Sequence, residues 1–492
     1  MRIAKALAAV FTIYCCSVSS AVASVDGEES PSVWSATLIQ SDLVALYDGL
    51  KSGHANLFAN RSEAEYDALF HELHDSIRAP MDAFEARRLF QRFAAFGDVA
   101  HARVDFPNEA FEAFRAAEGK TFPIYPRIVD GIPYVGENYS GESSIHAGDE
   151  IVALNGVPMQ SWLERVSAYI SADSDYIAHS LLEFTFPREF WALNGEVERF
   201  DLVLQRDGQR VETAIRATTR AAQQAAAANL AQSFSLDEGR SYRMATESIA
   251  YLRPGPFYSI ETPEDLWDNG PFVSFIDQSF EFFLDQKASR LIIDLRQNPG
   301  GDSSFSDAML AWLADEPFRF YSEFLVRSSD EAAESNKSRL SDNEDADSAT
   351  ARFAAFYART PRGELFSFDL PYATPRTGAR FEGEVYVLVN RHSYSNAVNV
   401  AAIVKDYQFG TIVGEKTADF ATTYGAMEQF VLPGTGIVVG FPKAHIIRPN
   451  GDRQPDGVTP DWLIHSPTKN ESTDRVLQKL LLMIEGDTRN QS

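Results

Sequence analysis

The sequence predicts a multidomain α/β protein. It divides into an N-terminal helical domain over 32–115, a β-rich domain over 119–220, an α/β core over 237–466 on a largely parallel sheet, and a C-terminal helix and tail over 470–492. Three observations predict this. Apolar residues recur at helical spacing from Trp34 to Phe114. From Pro123 to Thr219 short strand-like runs dominate. Beyond Tyr242, the branched apolar runs Leu291 to Ile293 and Val385 to Val389 are short, bounded by turn residues and interleaved with helical stretches, the order of parallel strands joined by crossover helices. A length of 492 residues suits two or three domains.

Residues 1–23 read as a secretory signal peptide. Arg2 and Lys5 form its basic end, Ala6 to Ile13 its apolar run, and Ala21-Val22-Ala23 a small-residue cleavage site, so cleavage is expected after Ala23 and the mature chain in the periplasm or outside the cell. The apolar run is too short to span a bilayer. Cys15 and Cys16, the only two cysteines, leave with it, so the mature chain has no disulfide, thiol nucleophile or cysteine metal site. Tyr14 stands where a lipidated cysteine would have a small residue before it. A formal charge of −26 argues against nucleic acid and anionic membrane as partners. No second long apolar run is present, so no stable membrane insertion is expected.

In the helical domain, Ser41 is expected to cap a segment carrying Leu43, Leu46 and Leu50. Ser62 is expected to cap Glu63 to Ile77, whose stripe is Tyr66, Leu69, Phe70 and Leu73. Ala83 to Phe96 repeats the pattern with Phe84, Leu89, Phe90, Phe93 and Phe96. His71 and His74 lie one helical turn apart but lack a third ligand, so no metal is expected. Gly97 to Val104 closes a helix and starts a strand, with His101 in the turn.

The β-rich domain contains Ile145-His146-Ala147-Gly148-Asp149-Glu150-Ile151-Val152-Ala153-Leu154-Asn155-Gly156, with closing strands at Leu202 to Leu204 and Thr213 to Ile215. A Phe- and Tyr-rich insertion runs from Trp162 to Glu196. Ala221 to Gln232 is a connecting helix or a linker. Ile249 to Arg253 is a strand and Phe272 to Gln286 an amphipathic helix. Asp330 to Asp347 is acidic and expected to be an exposed, mobile loop. Arg448 to Gly451 reads as a turn and Thr473 to Ile484 as a terminal helix.

The chemistry converges on two stretches, Leu291 to Gly301 (LIIDLRQNPGG) and Glu384 to Ala397 (EVYVLVNRHSYSNA). Asn298-Pro299-Gly300-Gly301 must turn. Ser395 stands where a buried strand hands over to a helix. Free N–H groups at the helix start can there stabilise an oxyanion beside a nucleophilic serine. The competing use of such a serine is as an ordinary N-cap.

These stretches resemble the C-terminal processing (tail-specific) protease family, which includes the tricorn protease core and the interphotoreceptor retinoid-binding repeats. DLRxNxGG is met by Asp294 to Gly301, TxSA by Ser393 to Ala397, VGExT by Val413 to Thr417, and GVxPD by Gly457 to Asp461. The resemblance implies a core of ClpP/crotonase-like type, a serine-type peptidase without cofactor or metal, and a peptide or protein substrate. GDEIVALNG resembles the PDZ signature, which implies a module able to add a peptide to a sheet edge.

The family lysine position is Phe420, and Lys416 lies out of register, so a Ser–Lys dyad is absent. His101 matches the turn that carries a catalytic histidine in the tricorn-like branch. The resemblance thus implies Ser395 as nucleophile, His101 as general base, and an oxyanion hole from Asn396 with Gly300 or Gly301. Gln454 stands where that branch has an orienting Glu, and Asp456 and Glu415 are the nearby carboxylates for the same task. A catalytically silent peptide or lipophilic-ligand binder and an esterase are the alternatives on this fold. Oligomeric state is not written in the sequence.

Overall fold

The computed structural model describes residues 33–227, 239–340, 345–468 and 473–487. The signal segment with Cys15 and Cys16, and residues 228–232 of the Ala/Gln-rich stretch, lie outside the described residues. The architecture is multidomain α/β, with a mixed, largely parallel sheet at its centre.

That sheet runs Ser241–Met244, Ile249–Arg253, Arg290–Asp294, Glu384–Val389, Thr411–Gly414 and Trp462–Leu463 in spatial order. Only the first pair is antiparallel. Both faces are covered, which is why its strands read as unbroken apolar runs. Leu291, Ile293, Val385 and Val387 pack with Phe272, Ile276 and Phe280 of the helix Gly270–Asp285. Ile292, Tyr386, Leu388 and Val413 point to the other face, against Leu480 and Ile484 of the helix Arg475–Asp487. Asp294 pairs with Leu388 across adjacent parallel strands, so both chains turn off at the same carboxyl end of the sheet. That end is where open α/β sheets place their ligands.

A four-stranded antiparallel sheet, ordered Leu365–Ser367, Glu323–Arg327, Val438–Ile447, Thr423–Val431, is backed by the N-terminal helices. Leu43, Leu46, Leu50, Phe90 and Phe93 share one core with Phe324, Val326, Val439 and Phe441. The first helix is Ala36–Gly53, capped by Ser35 rather than Ser41. Ser35 accepts from Leu38 N (3.3 Å), and Asp42, buried, accepts from Gly434 N (2.9 Å) and Thr435 N (2.7 Å) and docks the helix on the distant hairpin. Ser62 caps Glu63–Ser76 as expected, with Glu65 completing a capping box. The strand expected at Val104 reduces to one antiparallel bridge, Arg103 to Gly440.

The first part of the acidic stretch differs from the expected loop, and its residues 341–344 lie outside the described residues. Asp330–Lys337 is a helix capped by Ser329. Ala332 and Asn336 are buried on its inner face, and Arg339 binds Glu428 through two hydrogen bonds of 2.6 Å. One buried face outweighs the repulsion of exposed carboxylates on the other.

The third sheet is antiparallel: Ile124–Val129, Ile132–Asn138, Glu150–Leu154, Arg199–Arg206 and Gln209–Arg216, with Val157–Pro158 paired to Glu150–Leu154. Asp130-Gly131 (φ 51°, 78°) and Asn155-Gly156 (φ 51°, 74°) make its tight turns; the positive φ values fit the twist of a two-residue hairpin. The insertion after Trp162 folds as the end of one helix, Met159–Ser167, and a second, Asp175–Asn194. Phe186 and Phe190 of the second helix pack against Phe122, Phe200 and Leu202. Among the described residues, no helix is long and apolar enough to cross a membrane.

Candidate active site

Ser395 closes the turn between the strand Glu384–Val389 and the helix Asn396–Asp406. Its backbone sits at φ 50° and ψ −121°, a region that costs an L-residue about 1–3 kcal/mol and persists only when surroundings enforce it. The side chain makes no capping bond and is exposed, while Ser393, Tyr394 and Asn396 around it are buried. The N-cap use of this serine is therefore not what the structure contains. Ser393, fully buried, donates to Leu295 O (2.8 Å) and accepts from Asn390 N (3.1 Å), stitching the two turns together.

The glycines of NPGG are explained by contact. A Cβ on Gly300 (φ 91°) would stand 2.7 Å from Ser395 Cβ and 2.8 Å from Asn396 N. A Cβ on Gly301 (φ 135°) would stand 2.0 Å from Phe257 O. Gly300 N–H donates to Asn298 Oδ1 (2.9 Å), which leaves Gly301 and Asn396 as the two expected oxyanion donors whose N–H Asn298 does not take. Asp294 and Arg296 of the same motif serve the fold. Arg296 donates to Asp294 Oδ2 and Asp474 Oδ2, each at 2.6 Å, and so ties the strand to the C-terminal helix.

His101 lies on the loop after the N-terminal helices, near enough to Asp419 for that carboxylate to act on its ring. Its loop is fastened by Arg103 N to Gly440 O (2.9 Å), Ser171 Oγ to Ala102 O (2.7 Å) and the Arg61–Asp98 ion pair (2.7 Å). Nδ1 of His101 is buried without a hydrogen-bond partner, and the Tyr424 backbone lies near enough to the ring to favour its charged form. Burial holds the imidazole below its ordinary pKa, against the pull of the Asp419 carboxylate; Arg103 adds to the depression.

Asp419 is the residue the sequence reading passed over, although it lies in the Thr417 to Phe420 segment read for the lysine. It is buried, accepts from Ser395 N (2.5 Å) through Oδ2 and from Phe420 N (2.8 Å) through Oδ1, and acts on the His101 ring. Asp173 joins the cluster: burial and the nearby Asp419 push its carboxyl up to about 8, and it accepts from Ala100 N (3.4 Å). The three expected orienting residues are engaged elsewhere. Glu415 accepts from Ser466 Oγ (2.9 Å), Asp456 pairs with Lys416, and Gln454 is exposed. Phe420 bridges Gly457, whose Cβ would stand 1.9 Å from Thr417 O; this close approach accounts for the glycine of GVTPD.

A crossover α/β core that presents a strained, exposed serine beside two close-packed glycines defines a serine hydrolase. Residues 268–464 match the model of peptidase family S41, which supports a serine-type peptidase. Among solved structures it is similar to mature CPAF, at 17% identity over 87% of this chain and 92% of that one, with a TM-score of 0.60. It is also similar to the photosystem II D1 C-terminal processing protease, at 15% identity over 87% and 95% and a TM-score of 0.43. The tricorn protease matches at 12% identity over 92% of this chain and 37% of that one, with a TM-score of 0.39. At such identities the likeness to CPAF speaks for the fold. No curated protein matches the chain.

Proposed function

We propose that the chain is an exported peptidase that cleaves peptides or protein tails through an acyl-enzyme, with Ser395 as nucleophile and His101 as general base. The observation that carries the reading is the meeting of the Ser395 turn and the His101 loop at one buried carboxylate, Asp419. In this reading Nδ1, buried without a hydrogen-bond partner, is the nitrogen that takes the Ser395 proton. Asp419 offsets the imidazolium that results. Asn396 and Gly301 N–H receive the developing oxyanion, and Gly300 supplies the room for substrate to approach.

The antiparallel unit is read as PDZ-like, on the strength of Asp149, which Arg206 holds with bonds of 2.7 and 2.6 Å, and the Asn155-Gly156 hairpin. The core is read as ClpP/crotonase-like from its parallel crossovers. Export rests on the sequence of residues 1–23 alone. The test of the mechanism is His101→Ala: turnover of a peptide is expected to fall about 100-fold or more, the contribution of a positioned general base. Full activity in that variant removes His101 from the mechanism.

A further inference from the structure

The strand Ile124–Val129 lies at the end of its sheet, so its outer backbone groups need partners from outside the ladder. At Ile128 both are supplied by side chains. Ile128 N donates to Glu183 Oε1 (2.7 Å), and Ile128 O accepts from Arg391 Nη1 (2.9 Å). Glu183 belongs to the helix Asp175–Asn194 and Arg391 to the turn that leads into Ser395. Glu183 Oε2 also accepts from Arg127 Nη1 (2.8 Å) and lies 2.9 Å from His392 Nε2. All three of Glu183, Arg391 and His392 are buried. Burial pushes the Glu183 carboxyl up, and Arg127, Arg391 and His392 outweigh it, holding it down at about 2.

The same helix grips the turn at two further points, and Tyr176 adds a bond to the loop that follows the strand Thr411–Gly414. Tyr394 O–H donates to Ser180 Oγ (2.9 Å), the Phe184 ring meets the His392 ring edge-on at 4.9 Å, and Tyr176 O–H donates to Lys416 O (3.2 Å). Tyr176, Ser180, Glu183 and Phe184 follow i, i+4, i+7, i+8 spacing and share one helical face. That face touches residues 391, 392 and 394, immediately before the strained Ser395. A strained backbone persists only where its neighbours over-determine it.

We propose that Glu183 is a positioning residue for the nucleophile turn, and that its helix makes the antiparallel unit a wall of the active site rather than an edge on which a substrate strand docks. The inference rests on Ser395 being the nucleophile. A substrate strand adding along Ile124–Val129 would have to displace Glu183 and Arg391 from Ile128, and so would release the turn it needs intact.

The test uses the full mature chain. Active sites are counted by titration with a fluorophosphonate, and peptide turnover is expressed per titrated site. Glu183→Gln is expected to lower kcat per site roughly 10- to 100-fold, as a small misplacement of reacting groups does, with KM little changed. Glu183→Asp is expected to recover part of the loss. Tyr394→Phe, which leaves the buried charges paired, is expected to move kcat in the same direction by less. If Glu183→Gln gives no titratable sites, Tyr394→Phe decides: reduced turnover per site supports the proposal and unchanged turnover overturns it. Variants whose sites are fewer but turn over at the wild-type rate show a purely structural network and overturn the positioning role. A wild type that the probe does not label at Ser395 removes the nucleophile assignment, and this proposal with it.

Discussion

Ser393 and Ser395 stand two residues apart on one turn and face opposite environments. Ser393→Ala deletes two buried hydrogen bonds and is expected to cost about 1–3 kcal/mol of stability, while leaving a Ser395 that still reacts. Ser395→Ala removes an exposed hydroxyl and is expected to abolish turnover with a stability change within about 0.5 kcal/mol. Thermal melts run beside peptide assays separate the two, and the opposite pattern would move the nucleophile. Asp419 raises the His101 pKa, so Asp419→Asn is expected to shift the acidic limb of kcat/KM to lower pH. It should also slow turnover on the order of 100-fold, the low end of a base's contribution. In the wild type that limb is expected below the ordinary imidazole value of about 6.5, because burial favours the neutral ring, with a plateau at neutral pH. Ser395 and the glycines could be read from sequence because a strand, a turn and a helix start leave local signatures. Asp419 could not, since its meaning lies in contacts to a serine and a histidine from other parts of the chain.

Among the elements, the strands and helices of the core follow their apolar patterns closely: Arg290–Asp294, Glu384–Val389 and Asn396–Asp406 fall where the runs put them. The departures have physical causes. The first helix begins at Ala36 under a Ser35 cap and carries Asp42 into contact with a distant hairpin, and the first part of the acidic stretch folds with Glu428 as partner for the nearby Arg339. Glu428 also pairs with Lys443 (2.5 Å), and both are buried. Glu428→Ala leaves Lys443 buried without its carboxylate and is expected to cost about 3–5 kcal/mol, with kcat per titrated site unchanged. A cost near zero by chemical denaturation would show that water or a neighbour takes over the lysine.

At the scale of the whole molecule, the proposed site draws on three distant parts of the chain. The core supplies Ser395, Gly301 and Asp419, the N-terminal helices bring His101, and the antiparallel unit braces the turn through Glu183. Sequence reading sees the parts but not the bracing, because Glu183 and His392 become neighbours only when the chain folds. Deleting residues 119–220 is accordingly expected to abolish turnover of small esters and long peptides alike; loss confined to long peptides would instead mark the unit as a recruiting module. The measurement that bears most directly on the central claim is covalent labelling of the mature protein by a fluorophosphonate, mapped by mass spectrometry, in the wild type and in His101→Ala. The expected result is one phosphonylated residue, Ser395, at a rate that falls about 100-fold or more without His101. A wild type left unlabelled, or labelled equally fast without His101, would contradict it.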